Sequence, residues 1–383
     1  MKVAVNAHVL DWALDRSQRR ESLEQKFPKL SGWRDGMVLP TFRQLHDFAK
    51  AAAVPFGYLL LPEPPVEQLP IANFRTVSGE SASGFSPELI DTIQTMQRRQ
   101  VWMREYLIAE GYDRLSFVGS HRIDTEPAII ARNIRSVLGI DDNWAATQQN
   151  WTKALRALIR RVENAGIMVM SSGIVENNTH RKLDPQEFRG LVLVDDYAPL
   201  VFLNGADGKA AQMFTLAHEL AHIWVGVSAA FDLSELQPAD NTVEYACNRI
   251  AAEFLVSSSG LAGVWLEVRG KENPYQLLAK RFKVSEIVAA RRLLDMGFIA
   301  HDEFIRSYRR WQDREQRLAK KAGEDGGGDF YANQNIRIGN RFGDFLTRSV
   351  QAGTTLYSDA WRLTGLKKNT FHEFAHKIFG RSV

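Results

Sequence analysis

The chain has 383 residues, 45% of them hydrophobic and 24% charged, a composition that offsets the entropy of ordering and excludes global disorder. At roughly 100–200 residues per domain, that length implies two to four units. Lys and Arg number 48 against 45 Asp and Glu, so no global field favours nucleic acid and any such binding must come from local patches. A single cysteine, Cys247, excludes an intrachain disulfide framework, and no apolar run approaches the length of a membrane span, so a cytoplasmic protein with no membrane partner is expected.

Residues 6–53 alternate short helical patterns with turn signals: "NAHVLDWALDRS", "ESLEQKF", "PKLSGWRDG" and "PTFRQLHDFAKAA". This compact helical module ends near "LPEPPVEQLP", whose four prolines between Pro62 and Pro70 cannot continue a helix. A second helical region opens with Ser86 as N-cap, Pro87 at the first helical position and Glu88 in the first turn, and Gly111 stops it. Two more helical patterns, "EPAIIARNIRSVLG" and "QQNWTKALRALIRRVENAG", each close on a glycine suited to a left-handed C-terminal position. The pattern then changes. "IMVMSS", "GLVLVDD" and "PLVFLNG" are short, apolar, β-branched runs bounded by turn residues, the mark of buried strands.

The next stretch, "MFTLAHELAHIWVG", reads as a buried helix that nevertheless carries His218, Glu219 and His222. Histidines four apart project from one helix face and can place two imidazole nitrogens on one metal ion. The carboxylate between them can take a proton from water activated by that metal. A catalytic zinc needs a third protein ligand and an open position. The following helical pattern, "TVEYACNRIAAEFLV", offers Glu244 as that ligand, with Asn248 one turn further on to steady a histidine or the carboxylate.

"FTLAHELAHIWVG" followed by "EYACNRIAAEFLV" resembles the ImmA/IrrE family of zinc metallopeptidases, and "FRGLVLVDDYAPLVFLNG" is similar to the strand pair that precedes the family's zinc helix. The resemblance covers about residues 155–260. It implies that His218, His222 and Glu244 hold zinc, that Glu219 is the general base, and that the substrate is a protein, a helix-turn-helix transcriptional repressor among relatives. Cys247 stands where the family usually has alanine, Ile250 replaces phenylalanine, and "FLVS" replaces an "LLMP" ending. Cys247, three residues after Glu244, is read as a small buried residue, with a redox-sensitive ligand as the alternative. His180, in "NNTHRKLD", is either an oxyanion-stabilising side chain or a solvated loop residue.

Residues 6–60 resemble an Xre-type helix-turn-helix domain, with Leu30, Trp33 and Leu45 as core and a short recognition helix. Over residues 1–62 the net charge is +3, and Arg19, Arg20, Lys29 and Arg34 are the candidate contacts to double-stranded DNA. Beyond the zinc helices, "NPYQLLAKRFKVSEIVAARRLLDMG" is read as completing the peptidase domain, and Gly326–Gly328 as a flexible linker. Residues 331–383 carry a net charge of +5, so "YSDAWRLTGLKKNTFHEFAHKI" is either a second nucleic-acid module or a basic helical pair. His372 and His376, also four apart, lack a third ligand and are read as surface or packing residues.

The expected fold is α+β and predominantly helical. It comprises a helix-turn-helix module (1–75), a helical connecting region (76–155), a zincin-like metallopeptidase domain with a small sheet (156–312), a linker (313–330) and a C-terminal basic helical module (331–383). The expected function is a zinc-dependent endopeptidase coupled to a DNA-binding-type module and controlling stress, phage or toxin–antitoxin genes. The alternative is a DNA-binding regulator, or a toxin–antitoxin component, with a structural or vestigial zinc site.

Overall fold

The computed structural model describes residues 2–65, 85–227, 229–231, 242–319 and 330–382. The chain forms two compact units, residues 1–94 and 95–383.

In the first unit, α1 (Ala7–Ser17), α2 (Arg20–Lys26), α3 (Leu30–Arg34) and α4 (Phe42–Ala52) are followed by a 3-10 turn at Phe56–Leu60. Thr41 and Gln44 form a reciprocal capping box that starts α4, which satisfies two otherwise orphaned backbone donors. Leu30, Trp33 and Leu45 are buried, as the resemblance implied, and Trp33 and Phe27 meet Phe48 edge-on at 6.3 and 5.5 Å. The proline-rich boundary runs into residues 66–84, outside the described residues.

The second unit continues α5 (Pro87–Ala109), whose start is capped by Ser86 Oγ accepting from Leu89 N–H at 3.1 Å. Then come α6 (Pro127–Leu138), α7 (Trp151–Asn164), β1 (Met168–Ser172), β2 (Gly190–Leu193), β3 (Leu200–Asn204), α8 (Lys209–Val225) and β4 (Ala229–Phe231). They are followed by α9 (Thr242–Leu255), α10 (Ser258–Val268), α11 (Pro274–Phe282), α12 (Glu286–Asp295) and α13 (His301–Ala319). Four helices close the chain: α14 (Phe330–Ile338), α15 (Asn340–Gln351), α16 (Tyr357–Thr364) and α17 (Lys368–Phe379). The sheet order is β1-β3-β2-β4, with β1 parallel to β3 and the other pairs antiparallel. Every residue of β1, β2 and β3 is buried, which explains why these strands read as unbroken apolar runs.

Two expected boundaries differ from the architecture. Residues 95–155 do not stand apart as a connecting region, because α6 packs on α8 and α9 and shares their core. Residues 331–383 likewise do not stand apart: α14 and α15 lie against β1, within the same unit. Arg99 on α5 shows the physical reason. It is 3% exposed, and its guanidinium donates to Leu363 O (2.8 Å) and Arg337 O (2.9 Å) in the last turns of α16 and α14. A fixed cation thus satisfies the carbonyl ends of two helices at once. Of the linker placed at 313–330, α13 occupies the first part, to Ala319, while Gly326–Gly328 lie outside the described residues.

Glu163 makes a second tie. α15 starts behind Gly339, which has no side chain to cap it, and Glu163 Oε1 on α7 accepts from Arg341 N–H at 2.9 Å instead. Burial pushes the Glu163 carboxyl up to about 7, against the pull of the Arg341 and Asn340 backbone N–H groups. The native state therefore holds this proton more tightly than the unfolded chain. The associated stability is complete below about 4.5 and is lost as pH rises through 7, by about 3 kcal/mol. Glu163→Gln, still able to accept from Arg341, is expected to flatten this part of the pH–stability curve and to melt above wild type at pH 8. Identical pH dependence of denaturant unfolding in the two proteins would refute the assignment.

Candidate metal centre

α8 is apolar on all sides: Leu216, Ala217, Leu220, Ala221, Ile223 and Trp224 are each fully buried. It packs against β2, β3, α6, α7 and α9. Gly226 ends it in the left-handed conformation (φ 83°), its N–H returning to His222 O at 2.8 Å. Glycine is required there for a second reason, since a Cβ would lie 3.0 Å from the Cα of Gly119 in the loop that caps the helix. Phe117 of that loop stacks on Trp224 at 4.5 Å, and Trp224 Nε1–H donates to Asn133 Oδ1 at 2.7 Å. The helix is held at its end by packing and polar contacts together.

His218, Glu219 and His222 are all fully buried within this frame. Glu244, in the first turn of α9, reaches the same point: its Oε2 lies 3.0 Å from His218 Nε2 and its Oε1 3.3 Å from His222 Nε2. The two Nε2 atoms are 3.0 Å apart. Asn248, one turn further along α9, sets its Oδ1 3.0 Å from His218 Nδ1; with the ring proton on Nδ1 it accepts that N–H, and the lone pair of Nε2 is the one turned to the site. Among the described residues, His218, His222 and Glu244 form the cluster whose donor atoms converge closely enough for one metal ion.

The donor set fits zinc. Two imidazoles and a carboxylate bound at about 2.0–2.2 Å in tetrahedral geometry would place their donor atoms roughly 3.3 Å apart, close to the spacings seen. The protonation states suit ligation as well. Burial lowers His218 to about 4, against the raising effect of its bond to Glu244, so its imidazole is neutral at neutral pH. Burial would raise Glu244, but the adjoining His218 and His222 rings outweigh it and hold the carboxylate below its usual range. Its place in the first turn of α9 adds the positive end of a helix dipole.

Glu219 differs from its neighbours. Both carboxyl oxygens are buried and have no hydrogen-bond partner among the described residues. Burial first, then the nearby Glu244 charge, push its pKa well above the ordinary carboxylate range. Such a group is costly unless a cation lies beside it. Sequence reasoning missed the residue that makes room for it. A Cβ on Gly190 of β2 would stand 3.1 Å from Glu219 Oε1 and 2.4 Å from Thr215 Cγ2, so only glycine leaves this carboxyl and Thr215 undisturbed. The sequence signal was the glycine opening "GLVLV", which reads as an ordinary strand start.

The remaining candidates fall elsewhere. Cys247 is buried and its thiol is raised well above normal, chiefly by burial, which favours the packing reading over a redox-active one. His180 lies in an exposed turn, its backbone N–H held by Asn178 Oδ1 at 3.0 Å. His376 is exposed, and His372 packs on the ring of Tyr357. Of the four bases proposed to meet DNA, Arg20 is tied to Asp15 at 2.7 Å, Arg34 to Asp11 at 2.8 Å and Arg19 to Glu88 at 3.7 Å, while Lys29 is exposed. Phosphate would have to displace carboxylates from three of them. Among the described residues no helix is long and apolar enough to cross a membrane.

Fold and site together define a metallopeptidase-like domain: a small mixed sheet, a buried helix that carries two histidines and a glutamate, and a second helix whose Glu244 converges with the two histidines on a point that could hold a metal ion. Residues 162–294 match the Peptidase_M78 family model, described as IrrE N-terminal-like domain, which supports the ImmA/IrrE assignment for that stretch. A second model, a domain of unknown function (DUF8813), matches residues 338–377. No curated protein matches the chain.

Proposed function

We propose that the protein is a zinc-dependent endopeptidase. The observation that carries this reading is the convergence of His218 Nε2, His222 Nε2 and the Glu244 carboxylate beside the buried, unpaired carboxyl of Glu219. Zinc held by the three ligands supplies a Lewis acid that polarises a peptide carbonyl and acidifies water.

The chain's own residues do the rest. Glu219 takes the proton of the attacking water on a carboxylate oxygen and delivers it to the leaving amide nitrogen. A cation at the ligand set offsets the burial penalty on Glu219 and so favours the ionised form that a base requires. Asn248 fixes the ring of His218, and Gly190 with Thr215 shapes the space around the Glu219 carboxyl.

The substrate class is a protein. By resemblance it is a helix-turn-helix transcriptional repressor whose cleavage releases stress, phage or toxin–antitoxin genes. The test is cleavage of a fluorogenic peptide library by the purified chain. Cleavage that stops on chelation and returns with zinc is expected; cleavage unaffected by chelation contradicts the reading.

A further inference from the structure

We propose that the paired helices α16 and α17 form a surface that binds double-stranded DNA. α16 ends at Gly365 in the left-handed conformation (φ 69°), and a turn of three residues, Gly365, Leu366 and Lys367, leads into α17. A short glycine-containing connection of this kind joins the helices of a helix-turn-helix. The positions that hold such a pair together are all buried: Ala360, Thr364, Leu366, Phe371 and Phe374, none more than 4% exposed. Leu366 plugs the turn, and Thr364 Oγ1 accepts the Leu366 N–H at 3.3 Å.

What α17 leaves outward is polar. Lys367, Lys368, Asn369, His376 and Lys377 are exposed, and His372 is half-exposed beside them. Lysines suit phosphates, and asparagine can make a bidentate contact to adenine in a major groove. Charge complementarity identifies the occupant. Asp359 is already paired with Arg362 and Glu373 with Lys377, whereas no carboxylate pairs with Lys367 or Lys368 among the described residues. The first unit offers the reverse: α3 has five residues, and three of its four candidate bases are occupied by acids. A recognition helix needs length to enter a groove and free bases to stay there, and α17, with 12 residues, has both.

The surface is independent of the peptidase reading, so its test is too. The 383-residue chain would be titrated against a fluorescent duplex of about three helical turns, followed by anisotropy at several salt concentrations. Wild type is expected to bind with salt-sensitive affinity. The double variant Lys367→Glu/Lys368→Glu is expected to weaken binding at least about tenfold and to lower the slope of log affinity against log salt by about two. Both side chains are exposed, so melting temperature and zinc content should stay at wild-type values. Lys29→Glu in the first unit should change affinity by less than about twofold. Absence of duplex binding, stronger binding to the single strand, or equal losses for Lys29→Glu and the double variant would each overturn the proposal.

Discussion

Glu219→Gln is expected to retain bound zinc, to fold at least as stably as wild type, and to lose peptide cleavage by roughly 10²–10⁴-fold. The substitution is unusually clean here. The Glu219 carboxyl oxygens accept no hydrogen bond from the described residues, so an amide of the same shape forfeits no contact. It also removes a buried acid whose ionisation is opposed by burial and by Glu244. What the amide cannot do is take a proton from water. Retained zinc with lost turnover therefore separates the base from the ligands, and cleavage at the wild-type rate would show that Glu219 is not the base.

Glu244→Ala is expected to act at the preceding step, on the metal itself. Two imidazoles on one helix would remain, and a pair of ligands leaves a zinc site short of the three protein donors it needs. The loss in zinc affinity should exceed the roughly 10–100-fold that follows removal of an outer-shell partner. Folding should survive, because Glu244 sits at the start of α9 with 21% of its side chain exposed rather than in the core. Competition with a chromophoric chelator measures the affinity directly. An unchanged affinity in a folded variant would remove Glu244 from the ligand set.

The site was legible in the sequence to the extent that it rests on helical periodicity. His218 and His222 share a face because they are four apart, and Asn248 follows Glu244 by one turn for the same reason. The contact between the two helices was not a matter of period, and Glu244 was assigned through the pattern of its whole helix. Gly190 stayed hidden because its role depends on α8 crossing β2 at Glu219, a relation no local spacing encodes.

The fold shows the same division. Capped helices such as α4 and α5 and the apolar strands could be read directly, since caps and strand composition are local. β4, only three residues long, and α10, which contains Gly260 and Gly263, carry weak local signals. α10 also accounts for one departure from the family pattern: Ser257, in "FLVS", accepts from Gly260 N–H at 3.2 Å and starts a new helix directly after α9. The C-terminal helices were set apart by composition, yet the polar anchors Arg99 and Glu163 tie them to α5 and α7 across more than 170 residues of sequence. Tertiary hydrogen bonds of that range leave no trace in a sequence window.

X-ray absorption at the zinc edge of the loaded wild-type protein tests the three-ligand centre most directly. One zinc per chain is expected, in a shell of nitrogen and oxygen at about 2.0–2.2 Å with the outer scattering of two imidazoles. A sulfur shell at about 2.3 Å, which would bring Cys247 onto the metal, or the absence of imidazole scattering would contradict it.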